Sequence, residues 1–367
     1  MGHFLMGLVA VASLLAGGGL AAGDVGVVVG AGRQPQVVAD GAGRAYVVYA
    51  DGQRIMFSRS DDGGATFGQA QVVATVAGMP VGRRRGPRIA AGEKSLVITA
   101  IQAPQGAGKD GDLVAFTSGD GGQSWRQGDQ PLNSVAGAAR EGLHNMAAGP
   151  GGLVAVVWLD MRRAMPGKSG TELWIAMSTD GGQTWQRDQC IYISPSGTIC
   201  ECCHPSVIIG PDKMIHVMFR NLIDGNRDMY LTSSKDGGKT FLSAAKLGQG
   251  TWQLNACPMD GGSLAAGADA KLTTTWRRER QVYVAAPQAR EQKLGEGMQP
   301  VVAWLADRPV TVWMQQDRLM LSDRAGAVIE LAQGAAYPSV ATLAQARTLL
   351  VAAEAGKQVR VWRYVLK

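Results

Sequence analysis

The sequence predicts a turn-rich all-β fold built by repeating one unit. Three observations carry this expectation. Glycine occurs 50 times in 367 residues, about twice its ordinary share of roughly 7%, as suits a chain that turns often. Apolar runs are short and alternate with polar residues, the period of a strand with a buried face. One turn sequence recurs four times at nearly constant spacing. Composition sets the outer bounds. Charged residues make up 18% and apolar residues 46%, which excludes a disordered polyelectrolyte and provides for a core. The net charge of +6 is small and scattered, and no aromatics interleave the basic residues, so no nucleic-acid partner is expected. P-loop and GxSxG elements are missing, which removes the P-loop nucleotide and serine-hydrolase readings.

Residues 1–22 are read apart from the fold. Residues 4–20 form an apolar stretch that ends at Leu20-Ala21-Ala22, the pattern of a secretory signal cleaved near Ala22. Gly17-Gly18-Gly19 argues against a core helix here, since each interior glycine costs about 0.5–1 kcal/mol. The expectation is a periplasmic or secreted monomer with residues 23–367 as one domain. No later apolar run is long enough to span a bilayer, so stable membrane insertion is not expected. Export would place the five cysteines in an oxidising compartment.

The recurring turn is Ser60-Asp61-Asp62-Gly63-Gly64-Ala65-Thr66-Phe67. It returns around Asp120, Asp180 and Asp236, at spacings of 58, 60 and 56 residues. Each copy follows an alternating run, such as residues 54–58, and precedes another, such as residues 71–76. The motif therefore reads as a hairpin turn. Its carboxylate accepts backbone N–H groups, its glycines supply positive φ, and its aromatic ring buries a face on the neighbouring sheet. A second marker, X-Pro before an apolar strand, occurs at Gln34-Pro35, Gly86-Pro87, His204-Pro205, Cys257-Pro258, Gln299-Pro300 and Tyr337-Pro338, with Leu143-His144 in the seventh place. Proline suits the first residue of a strand, where no ladder donor is lost. Residues 23–367 then divide into seven units of about 49 residues, or six if two late units merge. The last unit has only three strands, and segment 24–29 is expected to supply the fourth and close the array on itself.

The turn S-x-D-x-G-x-[ST]-[WF] is the Asp-box or BNR repeat, and the sequence resembles the sialidase-like β-propellers over at least residues 34–250. That resemblance implies four-stranded blades, seven preferred, with the boxes as structural turns. Strands within a blade run up and down, so the X-Pro segments converge on one mouth of the ring and the boxes lie on the opposite face.

The mouth then gathers a chemically distinctive set. Cys200-Glu201-Cys202-Cys203-His204 is flanked by Cys257 and Met259 from the next blade and by His144 and Met146 from the preceding one. Thiolate, imidazole and thioether are the ligands of soft and borderline metals. Cys200, Cys202, Cys203, His204 and Cys257 are the expected ligands, with Met259, His144 and Met146 in second place. Copper(I) fits better than zinc, because Cys-x-Cys-Cys is not a zinc-knuckle spacing. The alternative is a disulfide set, Cys190 with Cys200, or Cys257 with Cys202 or Cys203, and an odd number leaves a thiol over. Sulfur separations decide between them: roughly 2.05 Å in a disulfide, and roughly 3.5–4 Å where thiolate bonds of ~2.3 Å meet one ion. A protein or glycan partner at this mouth is the remaining expectation.

The sialidase resemblance also implies hydrolytic chemistry, with three arginines clamping a substrate carboxylate, a tyrosine nucleophile with a glutamate partner, and an aspartic acid/base. Arg88, Arg140 and Arg220 would supply the clamp, Tyr337 the nucleophile, and Glu141, Glu201 or Asp260 the carboxylates. The first blade lacks the family's Phe/Tyr-Arg-Ile-Pro opening. Arg83-Arg84-Arg85 and Arg277-Arg278-Glu279-Arg280 read as solvated turns, and Asp160-Met161-Arg162-Arg163 and Arg227-Asp228 as salt bridges.

Overall fold

The computed structural model describes residues 26–106, 108–164, 170–323, 327–343 and 347–365; the signal segment expected at 1–22 lies outside them. Among the described residues, seven antiparallel four-stranded sheets form a ring. The fold is a seven-bladed β-propeller, and the six-blade alternative falls away. Blade 1 runs from the axis outward through Arg33–Ala39, Ala45–Asp51, Arg54–Ser60 and Gln71–Thr75. The inner strands of blades 2 to 7 are Arg88–Ala91, His144–Ala148, Ser206–Ile209, Ser263–Ala266, Met298–Leu305 and Ala335–Leu343. Each packs on its neighbours in turn, and blade 7 packs back on blade 1.

Both faces of a blade are covered by adjacent blades, so second strands read as nearly continuous apolar runs rather than strict alternations. Ala45–Asp51, Leu96–Gln102 and Val154–Asp160 are buried along almost their whole lengths. The core is accordingly divided among the blade interfaces. Tyr46, Ile55 and Phe57 of blade 1 meet Ile89, Ile98 and Phe116 of blade 2, and Trp158 of blade 3 packs on Ala90, Val97 and Leu113 of blade 2. Blade 7 is completed by Val27–Ala31, which pairs antiparallel with Gln358–Val365, as the sequence predicts.

The Asp-boxes join the third and fourth strands of blades 1 to 4. In the first, Asp62 Oδ1 accepts from the Thr66 amide at 2.9 Å and Oδ2 from the Thr66 hydroxyl at 2.6 Å. Ser60 Oγ donates to Asp62 at 2.7 Å and accepts from the Gly64 amide at 2.8 Å; Gly64 holds φ +79°. The Thr66 hydroxyl and amide, with Ser60, hold the Asp62 carboxyl down to about 2 against the usual 3.8. A group lowered on folding contributes stability above its unfolded value and loses it as pH falls through the folded value. Asp62→Ala should therefore lower the unfolding midpoint at pH 7. The gap to wild type should close as pH drops from 4 towards 2, and a gap unchanged at pH 2 would show that the carboxylate bonds do not stabilise the turn.

The prolines differ from expectation in position. In blades 1, 6 and 7 the strand starts ahead of the proline, and the ladder shifts register across Gln34-Pro35, Gln299-Pro300 and Tyr337-Pro338. The missing N–H thus falls in a bulge, where the ladder is already interrupted. The residue before each of these prolines has positive φ, +54° at Gln34, +55° at Gln299 and +54° at Tyr337.

Candidate functional site

The loop from the outer strand of blade 3 (Gln189–Tyr192) to the inner strand of blade 4 carries the Cys-x-Cys-Cys sequence onto the mouth. Cys200 is fixed by its amide, which donates to the Arg220 carbonyl at 3.0 Å. Cys203 Sγ accepts the Asp260 amide from blade 5 at 3.4 Å. The two blades approach closely here: a Cβ on Gly261 would stand 2.1 Å from the His204 carbonyl oxygen, so only glycine fits.

Three sulfurs converge. Cys200 Sγ lies 3.7 Å from Cys202 Sγ and 3.5 Å from Cys203 Sγ, and all three lie within 4.8 Å of one another. They are buried, at 0, 6 and 1% exposure, with Met259 packed against them. Arg227 Nη1 donates to Cys200 Sγ at 3.0 Å. Hydrogen bonds with Cys202 and Cys203 hold the Cys200 thiol well below its usual range, with Arg220 and Arg227 adding to the effect. Burial and the bond to Cys200 push Cys203 up to about 12. Of the three thiols, Cys200 is the one whose surroundings favour the ionised form.

The other expected ligands stand elsewhere. All five cysteines are free thiols, so neither disulfide pairing forms. Cys257 is exposed and outside the three-sulfur group, while its neighbour Pro258 is buried. His204 is buried, but its Nδ1 accepts the Gly261 amide at 3.3 Å, which orients the ring towards blade 5 and the channel instead of the sulfurs. His144 is buried between blades 2 and 3 with Nε2 3.1 Å from Thr99 Oγ1, and burial pulls it down to about 3. Met146 is core filler of that interface.

The hydrolase set is dispersed as well. Arg88 is 6% exposed and donates to backbone carbonyls, including His144 at 3.3 Å. Arg220 is 1% exposed and likewise holds the carbonyls of Arg227, Asp260 and Arg277. Asp260 is fully buried, accepts the Gln299 amide at 2.9 Å and lies 3.3 Å from Arg277; burial raises its carboxyl. Tyr337, Glu141 and Arg140 line an open pocket of about 480 Å3, together with Arg33, Arg83 and Arg85, whereas Arg88 lines the separate axial channel.

The basic runs divide. Arg162 bridges Asp160 and Asp188, and Arg163 bridges Glu172, as expected. Arg84, Arg277 and Arg278 are not solvated. Arg84 is 8% exposed, Arg277 pairs with Asp260, and Arg278 pairs with Glu291 at 2.9 Å.

Seven blades around a mouth, four of them with an Asp-box, define a class, the sialidase-like propellers. Residues 83–345 match the BNR repeat-like domain family, and the chain belongs to that family. No curated protein matches it. Solved structures similar to it include the Penicillium chrysogenum α-L-arabinanase complexed with arabinobiose, at 13% identity and a TM-score of 0.56 over 93% of this chain and 97% of that one. An ulvan lyase bound to -[GlcA(1-4)Rha3S]- has 12% identity and a TM-score of 0.58 over 92% and 95%. A Hadza microbial sialidase has 14% identity and a TM-score of 0.54, over 92% of this chain but 66% of its own. At these identities the likeness is one of fold, and a fold does not fix an activity.

Proposed function

We propose that this is an exported propeller that holds one soft metal ion, copper(I) before zinc, on Cys200, Cys202 and Cys203. The observation that supports it is the set of sulfur separations, 3.5 and 3.7 Å. They are far longer than a disulfide and match what two thiolate bonds of ~2.3 Å subtend at a shared ion. Three thiolates around copper(I) leave a charge of −2, which Arg220 and Arg227 offset. The Met259 thioether beside them suits a soft ion. Zinc asks for a fourth hard or thiolate donor, which His204 and Cys257 do not offer from their present positions. Metal analysis of protein purified from the periplasm should find one copper per chain. A chain free of metal, with its thiols oxidised in pairs, would overturn the proposal.

A second reading is favoured by the pocket beside the mouth. Tyr337, Glu141 and four arginines surround it, and arginine forks suit the carboxylate of an acidic glycan. A sialidase-like hydrolase should turn over a fluorogenic sialoside, and Tyr337→Phe should abolish that turnover. Absence of both turnover and saturable binding of the sialoside removes this reading.

A further inference from the structure

The triplet Arg83-Arg84-Arg85 is split by its backbone. Gly82, Arg83 and Arg84 all have positive φ, +103°, +52° and +69°, which leaves Arg83 outside and turns Arg84 into the ring. The Arg84 side chain crosses the mouth from blade 2 to blades 6 and 7. Its Nε donates to Gln299 Oε1 at 2.7 Å, Nη2 to the Gln299 carbonyl at 2.9 Å and Nη1 to the Pro338 carbonyl at 2.7 Å. Arg88 lies beside it, donating to the carbonyls of His144 (3.3 Å), Pro87 (3.1 Å) and Arg84.

Both guanidiniums are buried. Among the described residues neither has a carboxylate partner, since Asp260 is paired with Arg277 and Glu354 with Arg33. A guanidinium has five N–H donors. Each of these two uses one on each nitrogen, so each retains two. His204 adds a third group, because its Nδ1 accepts from Gly261 and the ring proton therefore sits on Nε2. Arg84, Arg88 and His204 all line the axial channel, a space of about 460 Å3. At the far end the inner strands of blades 1, 2, 3 and 5 finish on Ala39, Ala91, Ala148 and Ala266, which also line the channel.

We propose that the mouth end of the axial channel is an anion site, in which Arg84, Arg88 and His204 hold a small inorganic anion or a carboxylate. Buried cations without counter-charge are costly, and an anion at this point supplies it. The unmet cost is visible in the guanidiniums: burial, with Arg84 adjacent, pulls Arg88 down to about 9, and burial pulls Arg84 down to about 10 against Asp260, Tyr337 and Glu354. The site shares no residue with the sulfur cluster, so the two proposals stand or fall separately.

The test uses the full chain with bromide, formate or bulky gluconate as the sole anion at fixed ionic strength. Bromide or formate should raise the unfolding midpoint by about 2 °C per tenfold concentration above its dissociation constant, while gluconate should not. Arg88→Met should flatten the response. A bromide-soaked crystal should show an anomalous peak on the axis against Arg84, Arg88 and His204 if the site takes halide. A formate response without that peak assigns it to carboxylate. An axis free of bromide together with equal midpoints in all three anions overturns the proposal. Both measurements are made on the unsubstituted protein, so they do not depend on Arg88→Met folding.

Discussion

Cys203→Ser should lower copper(I) affinity by about three orders of magnitude or more, because it removes one of three converging sulfurs. Outer partners of a metal site are typically worth 10–100-fold, and a ligand exceeds that. Arg227→Met, which deletes the donor 3.0 Å from Cys200 Sγ, should fall in the 10–100-fold range. Cys257→Ser should change affinity little, since that thiol is exposed and outside the group. The ordering discriminates. A disulfide staple would make Cys257 or Cys190 as important as Cys203 and would leave fewer than five alkylatable thiols in the denatured, unreduced protein. A metal site leaves all five reactive once the ion is removed, and protects three while it is bound. Competition with a copper(I) chelator and thiol counting by mass spectrometry read both, and equal effects of Cys203→Ser and Cys257→Ser would sink the metal assignment.

The parts of this architecture that depend on neighbours in sequence were legible, and those that depend on distant partners were not. The Asp-box could be read because Ser60, Asp62, Gly64 and Thr66 bond to one another within a few residues. The blade count followed from the X-Pro marker, although a bulge moved three of the prolines inside their strands. Cys-x-Cys-Cys was legible as a cluster because its sulfurs share one loop. Cys257 was not, since repeat position places a residue near the mouth but does not say which way its side chain turns. Arg84 read as a solvated charge because its partner Gln299 lies 215 positions away. Arg227 read as a salt bridge, with nothing in its own neighbourhood pointing to a sulfur 27 residues upstream. Buried arginine stands out from sequence only when its acid is near, and here the partners are mostly backbone carbonyls.

Removing the closing strand should have the largest effect on the fold. Val27–Ala31 is the only contribution of the described N-terminal segment to blade 7, and its partners Val361, Arg360, Val359 and Gln358 lie at the other end of the chain. Val29 is 8% exposed and packs in a cluster that includes Val37, Tyr49, Val359 and Val361, so the strand fastens blade 7 to blade 1 as well as completing its sheet. Val29→Asp forfeits the burial of a valine, about 1.5–3 kcal/mol, and adds a carboxylate with no partner in an apolar interface. It should lower the unfolding midpoint by roughly 5–10 °C. Deletion of residues 1–31 should be worse, because it leaves Gln358–Val365 as an open edge eight residues long and strips the outer part of the interface between blades 7 and 1. Unpaired edges of that length recruit other chains. The truncated protein should elute as higher oligomers or aggregate, and should lose a single cooperative transition. A monomeric truncation that unfolds cooperatively within about 2 °C of the full chain would mean that the first and seventh blades hold together without the strand.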